Sequence, residues 1–244
     1  MIEIHNLHKA FNGHKVLQGI DLKIPKGKIT VIIGPSGCGK TSLLRHLIGL
    51  LTPDQGRVIV HGVDLKTLGP VQLNDFRKHF GMLFQNAALF DSMSVFENVA
   101  FPLKEHSLKS EIEIQKVVSE KLRLVGLDGI QAKMPAELSG GMRKRVGLAR
   151  AIALEPEIIL YDEPTTGLDP IMTEAIDSLI LDMQTKLHIT SVVISHDIPS
   201  AFHIGDVIAM VDSGKIVACG TPEEVRRSTH PTVKTFLEKG ELRS

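Results

Sequence analysis

The sequence is poor in cysteine, in net charge and in long apolar runs, and each shortage excludes a class of protein. Its two cysteines, Cys38 and Cys219, are too few for a disulfide framework or a thiolate metal site, so a reducing, cytosolic compartment is expected. The longest stretch without Asp, Glu, Lys or Arg, His79–Phe90, is shorter than the ~20 residues that span a bilayer. The N-terminal segment MIEIHNLHKAF lacks the apolar centre of a signal peptide. Any membrane association is therefore expected to depend on another protein.

The composition is that of a folded α/β domain. Lys and Arg number 28 against 28 Asp and Glu, and this zero net charge argues against a protein that coats nucleic acid. Apolar residues make up 43% of the 244 residues, which is enough for a buried core and excludes intrinsic disorder. No repeat, low-complexity tract or linker is visible, so we predict a single domain over residues 1–244.

Short strand-like runs alternate with helical patterns along most of the chain. Several of the runs are continuously apolar, which is typical of parallel strands buried on both faces. The segment Pro25–Gly27 is predicted as the turn of an early antiparallel hairpin. Residues from about 86 to 155 interrupt the alternation and are predicted to form a helical subdomain inserted into a core of residues 1–85 and 156–244. The predicted strands are Ile2–Ile4, Val16–Ile24, Ile29–Ile33, Arg57–Val60, Gly81–Phe84, Ile158–Tyr161, Ser191–Ile194, Val207–Val211 and Lys215–Ala218.

A glycine-rich segment matches the phosphate-binding pattern G-x-x-x-x-G-K-[ST] at every fixed position. It follows the apolar run Ile29–Ile33 and precedes a helical pattern, which is the context that the motif requires. Backbone N–H groups of such a loop face phosphate oxygens, Lys40 reaches the terminal phosphates, and the Thr41 hydroxyl ligates Mg²⁺. A glycine-rich turn without a ligand is the alternative, and the complete motif argues against it. The nucleotide-binding residues predicted in this segment are Gly34, Pro35, Ser36, Gly37, Cys38, Gly39, Lys40, Thr41 and Ser42.

Two acidic residues end the apolar run Ile158–Tyr161. Asp162 is predicted to hold Mg²⁺, and Glu163 to polarise the attacking water as a general base. Alone, an Asp-Glu pair at a strand end would more often be a solvated terminus. Following a phosphate-binding loop, the metal and base roles are favoured.

The segment Leu138–Met142 reads LSGGM and precedes a helical run. Ser139 is a plausible N-cap of that helix, and the two glycines that follow leave the backbone open to phosphate at Gly140 and Gly141. The uninterrupted run from Leu138 to Pro170 closely resembles the signature-through-Walker-B block of ABC ATPases, and the resemblance covers nearly the whole chain. It implies a P-loop NTPase (RecA-like) core with an antiparallel β subdomain and an inserted helical subdomain. It also implies Mg²⁺-dependent ATP hydrolysis.

The resemblance assigns roles to four further residues. Phe11 resembles the aromatic residue that stacks on adenine, although a core Phe is the alternative. Gln85 resembles the Q-loop glutamine, which ligates Mg²⁺ and senses the γ-phosphate. Asp169 resembles the D-loop aspartate at the dimer interface, and His196 the switch histidine beside the catalytic glutamate.

The family arrangement implies that two copies of the chain enclose ATP. Ser139, Gly140 and Gly141 of one copy would face the nucleotide held by Lys40 of the other. Met142 replaces the usual signature glutamine, which removes a polar side chain without changing the serine or glycines. The adjacent Arg143, Lys144 and Arg145 fit a solvated basic face and a functional role equally well.

Residues 86–106 resemble the ATPases of Mla/Mce-type phospholipid transport systems. In this family the region receives a helix of the membrane subunit, and its apolar side chains are candidates for a docking groove or for core: Phe90, Met93, Val95, Phe96, Val99 and Phe101. The resemblance implies an integral membrane permease, an Mce-domain protein, in some systems a STAS-domain protein, and the cytoplasmic face of a bacterial inner membrane.

Three alternatives remain open. The first is an ABC ATPase for amino-acid import or lipoprotein release. The second is a non-transport ABC ATPase acting on DNA or ribosomes, against which the chain has no coiled-coil insertion, tandem cassette or basic arm. The third is a small-molecule P-loop kinase, which would not need the LSGGM block.

Overall fold

The computed structural model describes residues 2–241, which form two β-sheets, nine α-helices and three short 3-10 helices. The strands are β1 (Ile2–Phe11), β2 (His14–Ile24), β3 (Ile29–Ile33), β4 (Gln55–Val60), β5 (Val63–Asp64), β6 (Phe80–Leu83), β7 (Ile158–Asp162), β8 (Thr190–Ile194), β9 (Val207–Asp212) and β10 (Lys215–Gly220). The helices are α1 (Lys40–Leu47), α2 (Pro70–Phe76), α3 (Val95–His106), α4 (Glu111–Leu124), α5 (Gly140–Ala151), α6 (Pro170–Leu187), α7 (Ile198–Ile204), α8 (Pro222–Arg226) and α9 (Pro231–Glu241).

The larger sheet has the strand order β10-β9-β3-β8-β7-β6 and is parallel except for the edge strand β10. Every residue of β3 and β8 is buried, as expected for apolar strands covered on both faces. Ile194 of β8 is in register with Ile32 of β3 and with Asp162 of β7. The carboxyl ends of these three strands therefore meet at one edge of the sheet, where ligands bind in open α/β folds.

The smaller sheet, in the order β2-β1-β4-β5, is antiparallel. Its hairpin turns at Asn12 and Gly13, whose φ angles of 49° and 80° suit a two-residue turn that matches the strand twist. The prediction of a hairpin turn at Pro25–Gly27 is wrong. That segment instead connects β2 in the smaller sheet to β3 in the larger one, because β2 pairs with the preceding strand rather than the following one.

The helices α3, α4 and α5 form the inserted helical region. Ser94 and Glu97 make a reciprocal capping box that begins α3, and Ser110 and Glu113 do the same for α4. Buried side chains of all three helices join the core beneath the larger sheet. The predicted α/β fold class, with an antiparallel β subdomain and inserted helices, is confirmed, while the boundaries 1–85, 86–155 and 156–244 stay a prediction.

Helix α3 lies within residues 86–155, which are predicted to be helical, whereas α9 lies where the sequence patterns predict no helix. Helix α3 contains Pro102, which obscures its pattern, and α9 begins at Pro231 after a turn. Of the helices within residues 2–241, none combines the length and apolar character needed to cross a bilayer.

Candidate nucleotide site

The predicted phosphate-binding loop lies at the carboxyl end of β3, before α1. Gly34 and Gly39 have φ angles of 147° and 108°. A Cβ atom at Gly34 would overlap the backbone oxygen of Val211, and one at Gly39 would lie 2.8 Å from a methyl group of Leu17. Glycine is therefore required at both positions, and the loop is closed tightly against the neighbouring strands.

Lys40, in the first turn of α1, points its amine into the loop. Its Nζ donates to the backbone oxygens of Gly34 at 2.8 Å and Pro35 at 3.0 Å, and the residue is 7% exposed. The neighbouring Cys38 is buried, and this burial raises the pKa of its thiol, which suits a small packing residue better than a nucleophile. The loop thus holds a fixed positive charge beside exposed backbone at Pro35, Ser36 and Gly37.

Thr41 and Asp162 bring two oxygen ligands together from α1 and the end of β7. The Thr41 hydroxyl donates to Asp162 Oδ1 at 3.3 Å. Burial raises the pKa of the Asp162 carboxyl, and the Thr41 hydrogen bond acts in the opposite direction. A hydroxyl and a carboxylate in contact suit Mg²⁺, which keeps several waters and is completed by substrate phosphates rather than by a full protein cage. Accordingly, residues 2–241 contain no group of three His, Cys, Asp or Glu placed to bind a metal ion unaided.

Glu163 follows Asp162 directly and has a left-handed backbone, with φ at 53°. This conformation costs a non-glycine residue about 1 kcal/mol. It turns the side chain towards His196, whose Nδ1 lies 2.6 Å from Glu163 Oε2, while the Thr166 hydroxyl donates to the same oxygen at 3.1 Å. The structure therefore brings the predicted base and the predicted switch histidine into direct contact.

Ser139 is the N-cap of α5, as predicted, and its Oγ accepts from the Met142 N–H at 3.3 Å. Ser139 and Gly140 are exposed. Asp169 likewise caps α6, accepting from the Met172 N–H at 2.9 Å. Within the described chain, no hydrogen bond joins this signature segment to the phosphate-binding loop.

Phe11 is the last residue of β1, and Gln85 lies in the turn after β6. Phe11 is 41% exposed, with Lys9 Nζ 5.6 Å from its ring centroid, so it is not the core residue of the alternative reading. Gln85 is exposed in the turn that follows β6, which pairs with β7 through Leu83 and Tyr161. Gln85 therefore lies at the same edge of the sheet as Asp162.

Lys144 belongs to the basic run that fits a solvated face and a functional role equally well from the sequence. For this residue the solvated-face interpretation is wrong. The residue is 6% exposed, and its Nζ donates to three backbone oxygens of the turn that follows β7, those of Pro164, Thr166 and Glu163. Burial lowers the pKa of its amine to about 8, while the charge of Glu163 acts in the opposite direction. The helical spacing that puts Lys144 on the same face of α5 as Gly141 and Leu148, all buried, was the available signal.

The groove candidates of residues 86–106 fall into three groups, of which one, Met93 and Phe96, is half-buried. Val95 and Val99 are completely buried and belong to the core, so a docking role for them is wrong. Phe90 and Phe101 are 41% and 37% exposed, with ring centroids 4.9 Å apart. The buried Asn98 fixes the loop before α3 by hydrogen bonds to the backbone of Phe90, Met93 and Ser94.

Comparison with known proteins gives a family and several relatives. The sequence model of the family described as ABC transporter matches residues 17–166. The chain is 45% identical over 241 residues to the intermembrane phospholipid transport system ATP-binding protein MlaF of Haemophilus influenzae, covering 99% of this chain and 91% of the relative. For MlaF of Escherichia coli K12 the identity is 44%, covering 98% and 88%.

A third relative is named differently. The probable ribonucleotide transport ATP-binding protein mkl of Mycobacterium tuberculosis is 44% identical over 97% of this chain, which spans 66% of that relative's length. Among solved structures, the ATP-binding cassette MJ0796 in a dimeric, post-hydrolysis state with ADP and Pi is similar at a TM-score of 0.84 and 30% identity, covering 91% of this chain and 99% of that one. The structure of cbiO1 from Clostridium perfringens has a TM-score of 0.85 at 30% identity, covering 99% and 92%.

Proposed function

The chain belongs to the ABC transporter family, and from this premise we propose that it is the ATP-binding and ATP-hydrolysing subunit of a transporter with a separate membrane permease. The observation that carries the proposal is the contact of Glu163 with His196. Glu163 directly follows Asp162, whose carboxylate accepts a hydrogen bond from the Thr41 hydroxyl. The residues proposed as base, orienting histidine and metal ligands thus lie close to one another beside the proposed phosphate-binding loop.

ATP binding is proposed to use the loop backbone from Gly34 to Thr41. The Lys40 amine, now hydrogen-bonded to two loop carbonyls, would turn its N–H groups to the β- and γ-phosphates. The exposed ring of Phe11 would stack on adenine, and aromatic stacking on a base is worth ~1–3 kcal/mol in nucleic-acid sites. Mg²⁺ would be held by Thr41, Asp162 and Gln85, where it supplies neutralisation of phosphate charge.

Hydrolysis is proposed to use Glu163 as the general base. Its Oε2 accepts hydrogen bonds from His196 and Thr166, which fix the direction of the carboxylate, and the side chain is 15% exposed. The remaining oxygen is free of these two partners and can accept a proton from water. His196 is 58% exposed, and its proposed role is to contact the γ-phosphate.

A homodimer is proposed to complete each site. Ser139 and the Gly140 backbone are exposed at the positive end of the α5 dipole, an arrangement that suits phosphate. They have no hydrogen bond to the phosphate-binding loop of their own chain within residues 2–241. The dimeric state of the similar cassette with ADP and Pi supports two chains closing on two nucleotides.

Phospholipid is the proposed cargo, carried between bacterial membranes, with the chain bound peripherally at the cytoplasmic face of the inner membrane. The two MlaF relatives, which this chain matches over 88–91% of their length, are named for phospholipid transport. The exposed Phe90–Phe101 pair, with Phe90 on the loop held by Asn98 and Phe101 in α3, offers a preformed apolar surface for the permease. Mce-domain and STAS-domain proteins are proposed as further partners, and nucleic acid is not.

Ribonucleotide transport is a second candidate cargo because the mycobacterial relative carries that name. Purification of the chain with its native membrane partners, followed by mass spectrometry of bound molecules, separates the candidates. Copurified phospholipid supports the proposal. A soluble nucleotide, amino acid or lipoprotein bound in its place, without phospholipid, would contradict it.

ATP binding is tested by Lys40→Ala. The substitution removes the charge that neutralises phosphate, and a hydrogen bond to a charged group is worth about 1.5–3 kcal/mol, or roughly 10- to 100-fold in affinity. Nucleotide affinity measured by calorimetry should fall by about that factor. Lys66→Ala, at an exposed lysine, is the matched control and should bind as the wild type does. Equal affinity of the Lys40→Ala variant and the control would remove Lys40 from the site.

A further inference from the structure

The buried amine of Lys144 makes three hydrogen bonds, all to one turn of the backbone. It lies 2.6 Å from the Pro164 oxygen, 2.8 Å from that of Thr166 and 3.4 Å from that of Glu163. An ammonium group has three N–H donors, and here three carbonyl oxygens accept them. Leaving such buried acceptors without a donor is costly, so the turn from Glu163 to Thr166 depends on this side chain from α5.

The turn that Lys144 holds is the one that orients the general base. Glu163 has a left-handed backbone, and such conformations persist only when surrounding contacts enforce them. One enforcing contact comes from β8, where the Ile194 oxygen accepts from the Glu163 N–H at 3.0 Å. A second contact comes from α5, where the Lys144 amine donates to the backbone oxygen of Glu163 at 3.4 Å.

Lys144 also belongs to the helix that presents the signature. Ser139 caps α5 five residues earlier and is exposed, whereas Lys144 is in the interior of the same helix and faces the catalytic turn. A helix of this length is a rigid secondary element, and such elements can carry coupling between the groups at their two ends. A displacement of α5 on contact at Ser139 would therefore reach the carbonyl groups beside Glu163 through the Lys144 amine.

We propose that Lys144 is a positioning residue that couples engagement of Ser139 by the nucleotide of a second chain to placement of the Glu163 carboxylate in its own chain. The inference rests on the proposed function, because it requires a dimer with two composite sites. In this arrangement α5 of each chain has two roles. Through Ser139 it completes the site of the other chain, and through Lys144 it makes the site of its own chain competent for hydrolysis. Hydrolysis before both nucleotides are enclosed is thereby suppressed.

Lys144→Met tests the coupling, since it keeps the stem of the side chain and removes the three donors. A small misplacement of a catalytic group can cost ~10²-fold in rate, so kcat for ATP hydrolysis should fall by about 10- to 100-fold. The KM for ATP and ATP-driven dimerisation should stay near wild type, because Ser139 and Lys40 are untouched. Lys144→Arg, which retains charge and donors, should recover part of the lost kcat. Lys116→Met, at an exposed lysine of α4, is the control.

A second readout does not depend on turnover. With the non-hydrolysable analogue AMP-PNP, wild-type chains should gain protection from hydrogen exchange both at the start of α5 and across residues 163–166. In the Lys144→Met variant, only the start of α5 should gain protection. Protection of both segments in the variant would overturn the coupling.

The kinetic outcomes are equally decisive. Wild-type kcat in the Lys144→Met variant, or a loss of kcat that merely follows loss of ATP binding, would overturn the proposal. If Lys144→Met and Lys144→Gln both melt below the assay temperature, the amine is a structural group and the proposal fails. Failure of the proposed function is a different result, since the wild type itself would then show neither ATP hydrolysis nor ATP-driven dimerisation.

Discussion

Asp177 carries a buried charge whose removal should stabilise the protein. It lies in α6, is 3% exposed, and accepts a hydrogen bond from the Ser200 hydroxyl of α7 at 2.8 Å. Burial raises the pKa of its carboxyl from 3.8 to about 6; the Ser200 bond opposes this rise and the nearby charge of Asp197 adds to it. Asp177→Asn keeps an oxygen that accepts the Ser200 bond and removes the charge.

The size and sign of the effect follow from the pKa. In the folded state Asp177 holds its proton up to about pH 6, whereas in the unfolded chain it loses the proton near pH 3.8. The carboxyl's stabilising contribution is therefore fully present below pH 3.8, decreases as pH rises, and is lost above about pH 6. At about 1.4 kcal/mol per pH unit, the loss amounts to about 3 kcal/mol at pH 7.

Urea unfolding of Asp177→Asn and wild type between pH 4 and pH 8 measures this difference. We expect the variant to be more stable by about 3 kcal/mol at pH 7, or roughly 6–12 °C in Tm for a chain of this size. The advantage should disappear near pH 4. Asp182→Asn, at a solvent-accessible aspartate of the same helix that pairs with Lys186, is the control and should change stability by less than about 1 kcal/mol. A variant less stable than wild type at pH 7, or a difference that does not change with pH, would refute the reasoning.

Two further predictions concern the nucleotide site. Glu163→Gln removes the general base but keeps its shape, so phosphate release should slow by ~10²–10⁴-fold. The control Glu105→Gln, at an exposed glutamate, should have no effect on phosphate release. Equal turnover in both variants would exclude Glu163 as the base. Gly34→Ala places a methyl group against the backbone oxygen of Val211 and should abolish nucleotide binding measured by calorimetry. Gly37 has open space around its Cβ position, so Gly37→Ala should retain nucleotide binding with a modest loss of stability. Retained binding by the Gly34→Ala variant would contradict the tight closure of the loop.

The nucleotide site is the part that the sequence alone predicts best. The residues from Gly34 to Thr41 are contiguous, and the geometry of their loop depends on glycines and on the strand and helix that flank it. The Glu163–His196 contact is different, since it joins the ends of two strands through sheet register. The resemblance to a family supplied that pairing, and the residues by themselves did not.

Other errors have identifiable physical causes. The hairpin turn was predicted at Pro25–Gly27 although Asn12–Gly13, a stronger two-residue hairpin signal, lies nearby in the sequence. The apolar residues of the segment around α3 cannot be divided into core and surface without the helix orientation, which buries Val99 and exposes Phe101. The burial of Lys144 depends on a tertiary contact with a turn about twenty residues away, and the local run of basic residues concealed it.

The central claim is that two copies of the chain enclose the nucleotide, and the mass of the Glu163→Gln variant in solution tests it most directly. Light scattering with Mg²⁺ and saturating ATP should give twice 26.7 kDa, and a return to 26.7 kDa once ATP is removed. A mass of 26.7 kDa with ATP fully bound, in a protein whose wild-type form hydrolyses ATP, would contradict the account.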